Sequence, residues 1–179
     1  MFKRFLGSKA TENTPQRLLK SIIEQSRSEV LFSKFGVPDT VMGRFDMLSL
    51  HTYLFSRRLL KEKDQGLAGA LNQEVFDLFV EDVERALREI GIGDTTVPKR
   101  KKKMIRSFFG QIEDFDPVLD DGDASDFMDR VKRRFLTDSK DNPKLLGNYI
   151  KDTEAWLESQ PMEAILAGDL VWNNPKEIK

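Results

Sequence analysis

The chain has 179 residues and not one cysteine. That removes disulfides, thiol nucleophiles and zinc–thiolate sites together, and it fits a reducing compartment. His51 is the single histidine, so histidine-rich metal sites and most imidazole proton shuttles are excluded by count. No run of 18 apolar residues occurs, and therefore no transmembrane helix is expected. No stretch alternates with period two, and β-branched residues are sparse, which argues against sheets. Net charge is −1, so bulk electrostatics do not favour nucleic acid, and no DNA partner is implied. A chain of this length buries roughly 70% of its unfolded surface and needs no staple to fold.

What is present is apolar residues at helical spacing and charge arranged in blocks. Pro15 opens a helix with Leu18, Leu19, Ile22 and Ile23 on one face, predicted to run on to about Phe35-Gly36. Asp39 or Thr40 caps the next helix, which reaches about Lys61. It is apolar on most sides and belongs in the middle of a bundle. A long helix follows from about Leu67 to Ile90, with Glu81–Arg85 and Glu84–Arg88 as i,i+4 pairs worth ~0.3 kcal/mol each. Gly91 is its expected left-handed stop. Asp116-Pro117 and Asp121-Gly122 predict a loop over 114–122, and Asp123 or Ser125 caps the helix after it. A further amphipathic helix carries Leu145 to Leu157, and Pro161 starts a short last segment. The expectation is an all-α single globular bundle of about six or seven helices over residues 15–172. A flexible or surface-associated segment 1–14 would precede it, and a loose tail 173–179 would follow. MFKRFLGSK at the start reads either as a weak membrane-surface anchor or as a frayed end.

Catalytic and metal patterns fail on inspection. Counting back from Gly122 puts Pro117 in the first ligand position of an EF-hand loop, and one histidine cannot supply paired Glu-x-x-His motifs. Gly91-Ile92-Gly93 has neither a third glycine nor a preceding strand. No metal, no cofactor and no catalytic residue is expected, and the chain reads as a non-enzyme.

The cationic run is the stronger feature. Lys99, Arg100, Lys101, Lys102, Lys103 and Arg106 put six cations in eight residues after the helix-opening Pro98. Either this is a solvated face neutralised by the acidic segment 113–129, or it meets an anionic surface, phospholipid headgroups or ribosomal RNA. Met104, Ile105, Phe108, Phe109 and Ile112 beside it read as core, or in part as an exposed apolar groove.

The blocks Phe45-Asp46-Met47, Leu50-His51 and Arg57-Arg58 come first. Then follow Leu87-Arg88-Glu89, Gly91, Gly93-Asp94, Val97-Pro98-Lys99-Arg100 and Phe108-Phe109-Gly110. In this order they resemble the ubiquinol–cytochrome c chaperone family over about residues 40–112, with a weaker likeness at Ala167-Gly168-Asp169. Gln111 departs from the family's arginine at that position, and Asp46 stands where many members have glutamate. The resemblance implies a non-enzymatic chaperone that binds newly made cytochrome b and supports assembly of ubiquinol–cytochrome c reductase. It also implies a small partner protein and contact with the ribosome. A bacterial cytoplasmic member working at the inner membrane is expected (the matrix side in a mitochondrion). An adaptor that docks on ribosome or membrane without this client is the alternative. For the docking face the candidates are the six cations. For the client they are Phe45, Met47, His51, Phe108 and Phe109. Arg88, Glu89, Gly91, Gly93, Asp94 and Pro98 are the candidates for setting the turn between the two helices.

Overall fold

Apolar residues three and four apart wind this chain into helices, and in the computed structural model every regular element among the described residues is helical. The structure describes residues 13–63, 65–120, 122–137 and 143–178. In order these form α1 (Thr14–Ser26), α2 (Glu29–Ser33), α3 (Val41–Leu60), α4 (Gln65–Glu89), α5 (Val97–Asp120), α6 (Ala124–Phe135), α7 (Lys144–Ser159) and α8 (Met162–Leu166). A 3₁₀ turn at Pro175–Glu177 ends the described chain.

The caps follow from side chains. Asn13 and Gln16 close a capping box at α1, Thr40 Oγ1 accepts from Gly43 N at 3.1 Å, and Asp123 accepts from Ser125 N at 2.6 Å. The central element is α3, which packs on α1, α4, α5 and α7. It buries residues all round, including His51, Thr52 and Arg57 beside Leu50, Leu54 and Phe55.

Three expectations need correction. The first helix does not reach Phe35. It ends at Ser26, capped by Arg27, and Ser28 (φ −56°, ψ 125°) turns the chain so that Leu31, Phe35 and Val37 enter the core. The loop expected over 114–122 is helical as far as Asp120, forming the last turns of α5, which runs through Pro117. Proline there removes only the bond to the Glu113 carbonyl, near a helix end. Buried Phe115 and Val118 hold this turn inward, and Arg57 grips Asp116 and Asp120 on one face of it. The tail is not loose over its described residues. Pro175 and Ile178 are buried, Gln25 donates to Asn173 O at 3.0 Å, and Lys34 donates to Ile178 O at 3.2 Å. Most of segment 1–14, including the surface-anchor expectation for its start, lies outside the described residues.

Candidate functional site

The turn between α4 and α5 builds the first part of the site. Gly91 takes φ 85°, Ile92 N donates to Leu87 O at 3.1 Å and Gly91 N to Arg88 O at 3.0 Å. These are the two bonds of a Schellman stop, which satisfies the last carbonyls of α4. Gly93 O accepts from Val97 N at 3.1 Å, starting α5 with Pro98 in its first turn. Arg88 spans the turn, bonding Glu84 at 2.9 Å on one side and Asp94 on the other. Glu89 plays no part in it: its side chain is exposed and faces Arg85 at 3.8 Å. Arg85 also pairs with Asp82.

Beyond the turn, α5 divides its cations. Lys101 points back at α4 and meets Glu84 at 2.5 Å. Lys99, Arg100, Lys102, Lys103 and Arg106 are exposed, with no ion-pair partner among the described residues. Neutralisation by segment 113–129 is therefore not what the fold does. Asp116 and Asp120 bind Arg57, while Asp114 and Asp126 bind Arg130. At ~100° per residue, Lys99, Lys102, Lys103 and Arg106 share a sector of about 100°, opposite the buried Phe108.

Phe109 is 49% exposed and borders that sector. Its ring lies 5.5 Å from Phe108 and 5.7 Å from Phe76, so it is the outer end of an aromatic row that passes inward to Phe79 and Phe45. The other client candidates are interior. Met47 and His51 are fully buried, Phe108 is 2% exposed, and none reaches a partner's surface in this conformation. Their apolar or satisfied surroundings on α3 and α5 make them core.

An apolar groove of about 450 Å³ opens between α1, α3, α4 and α5. Ile23, Val41, Phe45, Leu87, Ile90 and Met104 line it, and Arg27, Asp39, Arg44 and Asp82 edge it. Val41 and Ile90 are more than half exposed at its mouth. Of the client candidates, only Phe45 faces this space. Periodicity could not find the groove, because its walls come from four helices and each wall residue also reads as core.

Buried and partly buried polar groups on α3 and α5 lie outside the groove lining. His51 Nε2 is 2.6 Å from Tyr149 Oη and Nδ1 is 2.7 Å from Met47 O. Nδ1–H therefore donates to the carbonyl and Nε2 accepts from the phenol. Burial lowers the His51 pKa to about 4, against the Met47 bond, and burial raises Tyr149 to about 12. Asp46 faces Arg134 at 3.3 Å, but burial outweighs that cation and lifts its carboxyl to about 6. Arg134 also donates to Ser107 Oγ at 2.9 Å. Gln111 is fully buried one turn further along α5, and its amide atoms have no partner among the described residues.

The model of the family described as ubiquinol–cytochrome c chaperone matches residues 33–172, most of the chain.

This protein belongs to the ubiquinol–cytochrome c chaperone family.

It is 26% identical over 166 residues to ubiquinol–cytochrome c reductase complex assembly factor 1 of Xenopus laevis, covering 87% of this chain and 78% of the frog protein. It is 25% identical over 172 residues to the protein of the same name in Mus musculus, covering 90% of this chain but only 57% of the mouse protein. The crystal structure of the Cbp3 homologue from Brucella abortus matches the fold with a TM-score of 0.82 and 34% identity, over 93% of this chain and 92% of that one. The matched span of the family model takes in the groove's α3 to α5 walls, the cationic face and Ala167-Gly168-Asp169. Gly168, at φ 88°, ends α8, and Arg17 donates to its carbonyl at 3.2 Å and pairs with Asp169 at 3.1 Å.

Proposed function

We propose that this chain is an assembly factor for ubiquinol–cytochrome c reductase that receives newly made cytochrome b. The observation that carries the reading is the family match over residues 33–172, on a helical domain with an open apolar groove. An apolar client segment needs a surface that desolvates it without fixed polar geometry. Groove walls of Ile, Val, Leu, Phe and a flexible Met104 are suited to that. The groove, rather than Met47, His51 or Phe108, is then the client site, with Phe45 at its floor and Phe109 a separate exposed contact.

The work is binding rather than catalysis. The perturbed groups support this: His51, Tyr53 and Arg57 each spend their polar atoms on internal partners. The cations of α5 serve as a docking face for an anionic surface. No helix among the described residues is long and apolar enough to cross a membrane. A peripheral position at the cytoplasmic side of the inner membrane suits both features, with the ribosome and a small partner protein as further contacts. An adaptor without this client is the second reading, favoured only by the unpaired cations.

Deletion of the gene should remove assembled reductase, and the tagged chain should co-purify with cytochrome b. Normal reductase abundance in the deletion strain would sink the proposal.

A further inference from the structure

We infer that the outward face of α5 docks on an anionic phospholipid surface, with its first two turns down and Phe109 as the interfacial side chain. This deepens the docking reading above by choosing its partner.

Lys99, Lys102, Lys103 and Arg106 lie within one sector, exposed, and without an ion-pair partner among the described residues. From Lys99 to Arg106 they span about 10 Å of helix. Phe109 follows on the edge of the sector beside Lys102 and Arg106, about half exposed and backed by Phe76 and Phe108. Cations with an aromatic ring at their margin are the arrangement of a surface-lying helix. The charges sit among headgroups while the ring enters the boundary with the acyl chains.

RNA fits this face less well. Binding a single strand calls for a positive groove that follows the backbone and several rings on which bases stack. Here the cations stand on the convex side of one helix, and one ring borders them. A polyanion running along α5 would next meet the carboxylate of Glu113, which has no ion-pair partner among the described residues, and then Asp120, still about half exposed beside Arg57. A bilayer needs only the two-turn patch, because the helix can tilt and lift its acidic end away. Met104, a groove residue, lies about 160–200° round the helix from Lys102 and Arg106. Docking therefore leaves the groove open to a client.

The test uses the full chain and sedimentation with vesicles. One set is phosphatidylcholine alone, and the other is phosphatidylcholine mixed with phosphatidylglycerol. Binding to the mixed vesicles alone is expected, weakening as salt is added. Each cation replaced by glutamine should lower the partition coefficient about fivefold, and the set Lys99→Gln, Lys102→Gln, Lys103→Gln and Arg106→Gln by several hundredfold. Phe109→Ser should weaken binding while leaving the salt dependence unchanged. These positions are exposed, and unchanged circular dichroism and melting would show that the variants fold.

The inference is overturned if the fourfold variant binds like the parent, or if binding disappears only when Lys3, Arg4 and Lys9 are replaced. It is also overturned if the parent binds single-stranded RNA but neither vesicle. Cytochrome b capture from a detergent extract separates the two readings. The fourfold variant should keep it, whereas its loss from a parent that still binds vesicles would remove the client reading alone.

Discussion

The Arg57 guanidinium lies 2.6 Å from Glu154 Oε1, joining α3 to α7 across 97 positions of chain. The same guanidinium reaches Asp116 at 2.7 Å and also bonds Asp120, so one side chain ties α3 to both α5 and α7. Tyr53 Oη donates to Asp116 Oδ1 at 2.7 Å, completing the group. Burial works against the charge on Arg57, but the hydrogen bonds to Glu154 and Asp120 outweigh it and raise the pKa.

Truncating that residue leaves three carboxylates without their shared cation. Arg57→Ala should destabilise the protein by about 2–4 kcal/mol, toward the low end for broken buried pairs because Asp116 and Asp120 are partly solvated. Arg57→Lys should recover little, since an ammonium cannot fork to three acceptors on two helices. Urea unfolding monitored by circular dichroism checks both. An Arg57→Ala loss under half a kcal/mol (about a surface pair's worth) would refute the role.

Two groups on α3, buried His51 and partly buried Asp46, work against each other with pH. His51 has a folded pKa near 4, below its ordinary 6.5. Its contribution to stability is full above 6.5 and is lost as pH falls toward 4. Asp46 has a folded pKa near 6, above its ordinary 3.8, so its cost is absent at low pH and grows as pH rises through that window. Shifts of this size are each worth roughly 3 kcal/mol, so the parent's stability should be nearly flat between pH 4 and 6.5. His51→Gln should unmask stability that falls as pH rises, and Asp46→Asn stability that rises. Chemical denaturation at a series of pH values decides it, and parallel curves for all three proteins would exclude the pairing.

Two glycines, each at a turn that starts a helix, differ sharply in what they tolerate. A Cβ on Gly43 would sit 1.9 Å from Pro38 O, a backbone atom, at the first turn of α3. Gly43→Ala should therefore cost more than about 2 kcal/mol, because the start of the central helix must move. A Cβ on Gly93 meets nothing within 4 Å, and Gly93→Ala should fall within about 0.5 kcal/mol of the parent. Thermal melts of the two variants test the contrast. Equal melting temperatures would contradict it.

The groove supplies a functional prediction that stability does not confound. Val41 and Ile90 are more than half exposed at its mouth, so Val41→Asp and Ile90→Asp should change folding stability by less than about 0.5 kcal/mol. Each places a charge where an apolar segment would lie, and cytochrome b co-purification should drop about tenfold or more. Full recovery of the client with both changes in place would move the client site elsewhere.

By itself the sequence determined the helical class, the centrality of α3, the stop at Gly91 and the cationic content of α5. Each rests on local rules: apolar spacing, caps, left-handed glycine and charge density within a few turns. Membership of the family was legible in the same way, from ordered short blocks. The tertiary structure alone decided which charges are spent and which are free. Lys101 is quenched by Glu84 across a helical hairpin, and the acids near Pro117 answer to Arg57 from α3 rather than to the lysines beside them in the chain. It also decided that Met47 and His51 are core while Val41 and Ile90 stand at an open groove, and that the chain's end packs against Gln25 and Lys34. Burial and ion pairing depend on which helix faces which, and that is set by packing among residues tens of positions apart.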